Sequence, residues 1–226
     1  MSDARMLTYT GLIIDLFDTK PRDICAEDVA HSLALINRFN GTTQRPISVA
    51  QHAVYVSRLL LGTGLEWQGL HHDDGETIVG DLTKWFKETP SMVIFRKAEE
   101  RAQRACYAAF GIPPWMYDGY PGLMHPLVKK ADDLMVRFEA EMGFGKTLWA
   151  HWLKMTGLEE RYPFANDRER EAIGPWRPWS WREAEDAFLT ALRLLRLEGR
   201  DRPSPLPIPR LAWLETAELY SGRTSE

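Results

Sequence analysis

Three features of the sequence predict an all-α fold. Apolar residues recur at helical spacing along most of the chain, only one segment has a strand-like composition, and breaks containing Gly or Pro separate the periodic stretches. The 226 residues, 44% of them hydrophobic, supply one sizeable core and are too few for two comfortable domains. The expected architecture is a helical bundle with at most a small N-terminal β-hairpin and a helical C-terminal extension.

Residues 9–17 contain GLIIDLF, rich in branched side chains and closed by the turn signal DTKPRD, and form the one expected strand region. AEDVAHSLALINRF (26–39) puts Val29, Leu33 and Ile36 on one helical stripe. SVAQHAVYVSRLL (48–60) does the same with Val49, Ala53, Val56 and Leu60. Between them NGTTQRP carries the Gly and Pro of a turn joining two packed helices. A third helix is expected from Leu65 until it fades at Gly75. A long one follows over 91–110, charged on one side and Ala-rich on the other, and GIPP stops it. HPLVKKADDLMVRFEAEM (125–142) is the next, with Leu127, Ala131, Leu134 and Phe138 at the buried spacing. RYPFANDRERE and GPWRPWSW make a Trp- and Pro-rich connection to the amphipathic helix WREAEDAFLTALRLLRLE. GRDRPSPLPIPR then reads as an extended linker, and LAWLETAELY as a last short helix. The expected organisation is a core over 1–142, an insertion and packing helix over 143–199 completing the same domain, and a proline-rich tail over 200–226.

The net charge of −4 leaves no global basic field to hold a nucleic-acid polymer, although a small anion held by local Lys and Arg remains compatible with it. Cys25 and Cys106 stand alone, with no second Cys or His at zinc-knuckle spacing, which fits a reducing compartment. Asp15 interrupts the one apolar run near the N-terminus, so neither a signal peptide nor a membrane span is expected, and the expected location is cytoplasmic.

The chemistry concentrates in GLHHDDGETIVGD (69–81). On a helix His72 and Asp73 differ in direction by about 100°, yet both reach one ion beside it, and Glu76 lies one turn beyond His72 on the same face. His52 is bracketed by the core positions 49, 53 and 56. Asp132 adjoins Ala131 and Leu134, and a buried carboxylate is costly unless it is paired or bound to a metal. His52, His72, Asp73 and Asp132 make a mixed imidazole and carboxylate set, suited to Mn, Fe, Co, Zn or Ni better than to Ca or a dedicated Mg cage. GFGKT (143–147) is set aside as a phosphate loop, because the first glycine of that pattern falls on Ala140 and a helix precedes it.

The order H, then HD, then D resembles the HD-domain metal-dependent phosphohydrolases. RFNGTTQRPISVAQH, LHHDDGETIVGDLTKWFK and VKKADDLMVRFEAE together resemble the branch of bacterial 5'-deoxynucleotidases (YfbR-like) and phage dATP triphosphohydrolases, over residues 10–142 and more weakly over 181–197. The resemblance implies His52, His72, Asp73 and Asp132 as metal ligands, with His71, Asp74 and Asp133 as competitors in register. It implies Glu76 as the residue that positions or activates water and Asp81 as a second catalytic acid, with a divalent ion activating the water that attacks the α-phosphorus. Arg38 matches the phosphate-contacting arginine. Phe39 takes the place of an aromatic residue that packs on sugar or base, or is simply a core residue. Lys84, Lys87 and Arg96 are available for further phosphates, and an ordinary solvated helix face also accounts for the two lysines. Mg remains an alternative ion.

The expected function is hydrolysis of 2'-deoxynucleotides, either as a dNTP triphosphohydrolase or as a dNMP 5'-nucleotidase. The alternatives are another phosphoester, such as a cyclic dinucleotide or an alarmone, and a nucleotide sensor without catalysis. The resemblance also implies a homo-oligomer.

Overall fold

A computed structural model describes residues 4–158 and 166–200, except for the side chains of 84, 168 and 197–200. The expected proline-rich tail and last short helix lie outside the described residues, as do 159–165 of the connection. The chain is predominantly helical with one two-stranded antiparallel sheet, as the sequence predicts.

The sheet is a hairpin of β1 (Arg5–Leu7) and β2 (Ile13–Asp15), with Leu7 opposite Ile13 and Met6 opposite Ile14. The expected strand over 9–17 is corrected to its second half. Residues 8–12 make the turn: the Leu12 N–H bonds the Thr8 hydroxyl and Gly11 holds φ +90, a conformation that costs glycine nothing. Alternation along β2 turns Ile14 inward against Ile78 and Ala102 and leaves Ile13 in solvent.

Ten α-helices follow among the described residues: α1 (Ala26–Leu35), α2 (Val49–Leu59), α3 (Glu66–His71), α4 (Glu76–Val79), α5 (Lys84–Lys87), α6 (Val93–Ala109), α7 (Pro126–Phe144), α8 (Lys146–Thr156), α9 (Asp167–Ile173) and α10 (Trp181–Arg200). α2 is the central one. Every residue from Val49 to Ser57 is buried, as expected of a helix enclosed on all sides by α1, α3, α7, α9 and α10. Its start is fixed by Ser48, whose hydroxyl accepts the Gln51 N–H, a cap worth about 1 kcal/mol. Val29, Leu33, Ala50, Leu70, Phe188 and Leu192 form the core shared by α1, α2, α3 and α10. The other flank of α2 packs Tyr55 and Val56 on Val128, Met135 and Ile173.

Three expectations about helix limits and faces are corrected. α1 stops at Leu35 instead of reaching Phe39, because Ile36 turns extended and the chain pairs back: the Arg38 N–H bonds the Ile47 carbonyl, and the Val49 N–H bonds that of Ile36. The third helix does not run on to Gly75. It ends at His71, the chain winds through tighter i→i+3 turns, and α4 begins at Glu76. On α7 the buried stripe is Val128, Ala131, Leu134 and Met135, while Leu127 is exposed at the first turn.

The expected connection is corrected over 167–173, which form α9 behind an Asn166 cap, and the Trp- and Pro-rich stretch after it anchors α10 to the rest of the fold. Trp179 packs on Tyr55, and Gln51 bonds both the Arg177 carbonyl and the Trp179 N–H. No helix among the described residues is long and apolar enough to cross a membrane.

Candidate metal centre

α2, the α3–α4 junction and α7 each bring one part of the site. His52 lies in the first turns of α2 and is fully buried. His72 caps α3, and Asp73 follows in the turn. Close packing sets their distance from α2: a Cβ on Gly69 would lie 2.5 Å from Leu60 Cδ1 and 3.2 Å from Ser57 Cα, so a larger residue would have to push Leu60 aside and crowd the α2 backbone. Asp132 projects from the second turn of α7.

One ligand atom from each of His52, His72 and Asp132 falls within 4.8 Å of the other two. The two Nε2 atoms are 3.3 Å apart, and His52 Nε2 is 3.1 Å from Asp132 Oδ1. Asp73 Oδ2 stands 3.2 Å from His72 Nε2 and 3.9 Å from His52 Nε2. Two ligands bound tetrahedrally about 2.0–2.1 Å from one ion are separated by about 3.3 Å, so these spacings match the edges of a coordination shell.

The hydrogen bonds on the far side of each ring are diagnostic. His72 Nδ1 is 2.8 Å from the Gly69 carbonyl, and His52 Nδ1 lies 3.1 and 3.2 Å from the two oxygens of Glu139. Both partners only accept, so each Nδ1 carries the hydrogen and each Nε2 turns its lone pair toward the other. Two facing lone pairs repel unless a cation lies between them. A proton serves, and accordingly the His52 pKa, which burial and Arg38 lower, is pushed up to about 9 by Glu139 and Asp132. A divalent metal ion serves with more ligands, and the residues present fit one.

Around this centre are acids with perturbed protonation. Burial, with Asp73 and Asp81 nearby, pushes the Glu76 carboxyl well above its usual range, and one of its oxygens has no protein partner. Burial raises Asp81 as well, against Arg38 and with Asp73. Asp132 is held well below the usual range despite burial, by Lys129 and by His52.

A cavity of about 870 Å³ opens over the centre, lined by Arg38, Phe39, His72, Asp73, Glu76, Asp81, Lys87 and Asp132 among others. The structure thus gathers every expected site residue except Lys84, whose side chain lies outside the described residues. Arg38 is an ion-pair partner first: its Nε is 2.9 Å from Glu139, and Nη1 is 3.5 Å from Asp73. Lys87 pairs with Glu99 at 2.6 Å and lies 4.0 Å from Glu76. Arg96 bonds the backbone carbonyls of Lys87 and Thr89, which fixes the end of α5. Phe39 meets Phe144 edge-on and holds a left-handed φ of 56°, a strained conformation for a bulky residue.

His71 faces away, bonded to Asp74 at 2.6 Å and stacked on Phe110, and Asp133 is taken by Lys129. Two residues of the site were missing from the sequence analysis. Glu139, fully buried, stands two turns after Asp132 on the same face of α7 and joins His52 to Arg38. Lys129 Nζ lies 2.6 Å from Asp132 Oδ2, leaving Oδ1 for the centre. The i, i+3 and i, i+7 spacing around Asp132 was the available signal for both.

No family model matches the chain. The uncharacterized protein RCAP_rcc00048 of Rhodobacter capsulatus is 34% identical over 149 residues, spanning 61% of this chain and 70% of that protein. The uncharacterized protein YfdR of Escherichia coli K12 is 32% identical over 117 residues, 52% of this chain and 60% of that protein. With that identity sustained over more than two thirds of the Rhodobacter protein, the chain belongs to the same family as RCAP_rcc00048.

Proposed function

We propose that this chain is a metal-dependent phosphohydrolase of the HD-domain type, acting on a small phosphomonoester with a 2'-deoxynucleoside monophosphate as the first candidate. The observation that carries the proposal is the pair of imidazole lone pairs facing each other beside Asp132 on the floor of an open cavity. A divalent ion bound there (Mn, Co, Zn, Fe or Ni, with Mg as the harder alternative) supplies Lewis acidity toward a phosphoryl oxygen and lowers the pKa of water.

The protein groups divide the remaining work. Glu76 has a raised pKa and an unpartnered oxygen, so it orients the attacking water and accepts its proton. Asp81, likewise raised, returns a proton to the leaving oxygen. Arg38 offers its remaining N–H groups to a phosphate oxygen.

The charge pattern favours one phosphate over three. Each cation described along the cavity already has partners: Arg38 has Glu139, Lys87 has Glu99, Lys129 has Asp132 and Asp133, Arg104 has Glu100 and Asp118, and Arg96 has backbone carbonyls. The added negative charge of a triphosphate would have to displace one of these pairs. The triphosphohydrolase reading stands second, supported by Lys87 and Arg96 on the cavity wall.

Incubating the purified protein with Mn or Co and a panel of dNMPs and dNTPs, then separating products, tests both readings. Release of orthophosphate from dNMPs is expected. Release of triphosphate from dNTPs would favour the second reading, and no turnover with any divalent ion would sink the enzyme proposal in favour of a binding protein.

A further inference from the structure

The cavity also has an apolar wall that the chemistry above does not use. Val136 follows Asp132 by one turn of α7, about 6 Å along the helix axis, and begins an apolar wall there. Phe39, Val136 and Trp85 line it. Trp85 meets Trp152 edge-on at 4.9 Å, and Trp152 stacks on Trp149 at 4.7 Å with the rings 13° apart. Trp149 is in turn buried against Ala140 and Leu153. Trp85 is therefore braced from behind by two tryptophans of α8 while it remains 46% exposed at the cavity. The strain at Phe39 falls on the same wall, and a bulky residue is held left-handed only where its surroundings over-determine it.

A rigid, half-exposed indole stacks well on a flat aromatic base, and a phosphate gains little from it. The acids and the metal centre line the same cavity, so a phosphate held there leaves its organic group within reach of this wall. Resting on the hydrolase reading above, we infer that Trp85, braced by Trp152 and Trp149, is the platform on which the planar base of the substrate stacks. The segment that carries α8, read from the sequence as an insertion, then has a function: it fixes Trp85.

The test compares 2'-deoxyadenosine 5'-monophosphate with 2-deoxyribose 5-phosphate, which has the same sugar and phosphate and no base. Trp85→Ala is expected to lower kcat/KM for the nucleotide about 5- to 150-fold relative to the sugar phosphate, and Trp85→Phe to restore most of it. Equal losses on both compounds, or no loss on either, would overturn the inference. Tryptophan fluorescence separates it from the hydrolase reading. Quenching by the nucleotide that disappears in Trp85→Phe supports the platform even if neither compound is hydrolysed. Hydrolysis of the sugar phosphate with no quenching by the nucleotide removes the platform and leaves the hydrolase standing.

Discussion

Glu139→Gln keeps the volume of a fully buried side chain and removes its charge. Arg38, whose Nε lies 2.9 Å away, is left with Asp73, 3.5 Å from its Nη1, as ion-pair partner, and His52 Nδ1 loses a charged acceptor that both its 3.1 and 3.2 Å contacts use. Breaking a buried ion pair on one side costs about 3–5 kcal/mol, and the amide oxygen retains one acceptor, so about 2–4 kcal/mol is expected here. For a chain of this size that corresponds to a fall in Tm of roughly 5–15 °C. The second effect is on the metal. Without the carboxylate behind it the His52 ring is less firmly oriented and less basic at Nε2, and the affinity for Mn or Co should drop about 10- to 100-fold. Denaturant unfolding measures the first effect, and calorimetric titration of metal into the demetallated protein measures the second. A Gln variant with wild-type stability and wild-type metal affinity would refute the assignment of Glu139 as the link between Arg38 and the centre.

Three further outcomes are expected. Glu76→Gln should lower turnover about 10²- to 10⁴-fold with metal content near normal, since Glu76 stands outside the cluster of His52, His72 and Asp132; metal analysis alongside the product assay checks this, and full activity would remove Glu76 from proton transfer. Gly69→Ala should destabilise by about 1–3 kcal/mol despite the better helix propensity of alanine, because its Cβ meets Leu60 and the Ser57 backbone; an unchanged unfolding midpoint would show that α3 has room to move. The Glu183 carboxyl is held down to about 2 by Arg177, against some burial, with help from Ser180. A depressed folded-state value contributes stability above its ordinary value of 4.5 that is lost as the pH falls toward about 2. Arg177 is 48% exposed, so the contribution is about 1 kcal/mol or less. The stability difference between wild type and Glu183→Gln should vanish over that range, and a pH-independent difference would count against the pair.

Most of the longer helices, and with them the fold class, were legible because a 3.6-residue apolar period is a local property of the chain. His52 and Asp132 could be named for the same reason, each bracketed by residues that must face a core. The break at His72–Gly75 was not legible: no proline or positive-φ glycine marks it, and the turn is held from outside by Gln103 of α6, which bonds the His71 carbonyl and the Gly75 N–H. Glu139 sat in an ordinary acidic stretch, and only the pairing of Arg38 with α7 across the fold shows why a carboxylate is buried there. The hairpin was expected but its first strand could not be located, because three residues carry no period and acquire strand geometry only from their partner. Trp85 carried no signal of its own in the sequence, and only the fold shows the rings of α8 behind it. The sequence by itself thus determined most of the longer helices, though not α8 or α9, and which ligand-type residues they bring inward. Tertiary structure alone decided which charges are paired, which ring nitrogens face each other and which aromatic ring stays open to a ligand, because each depends on contacts between segments far apart in the chain.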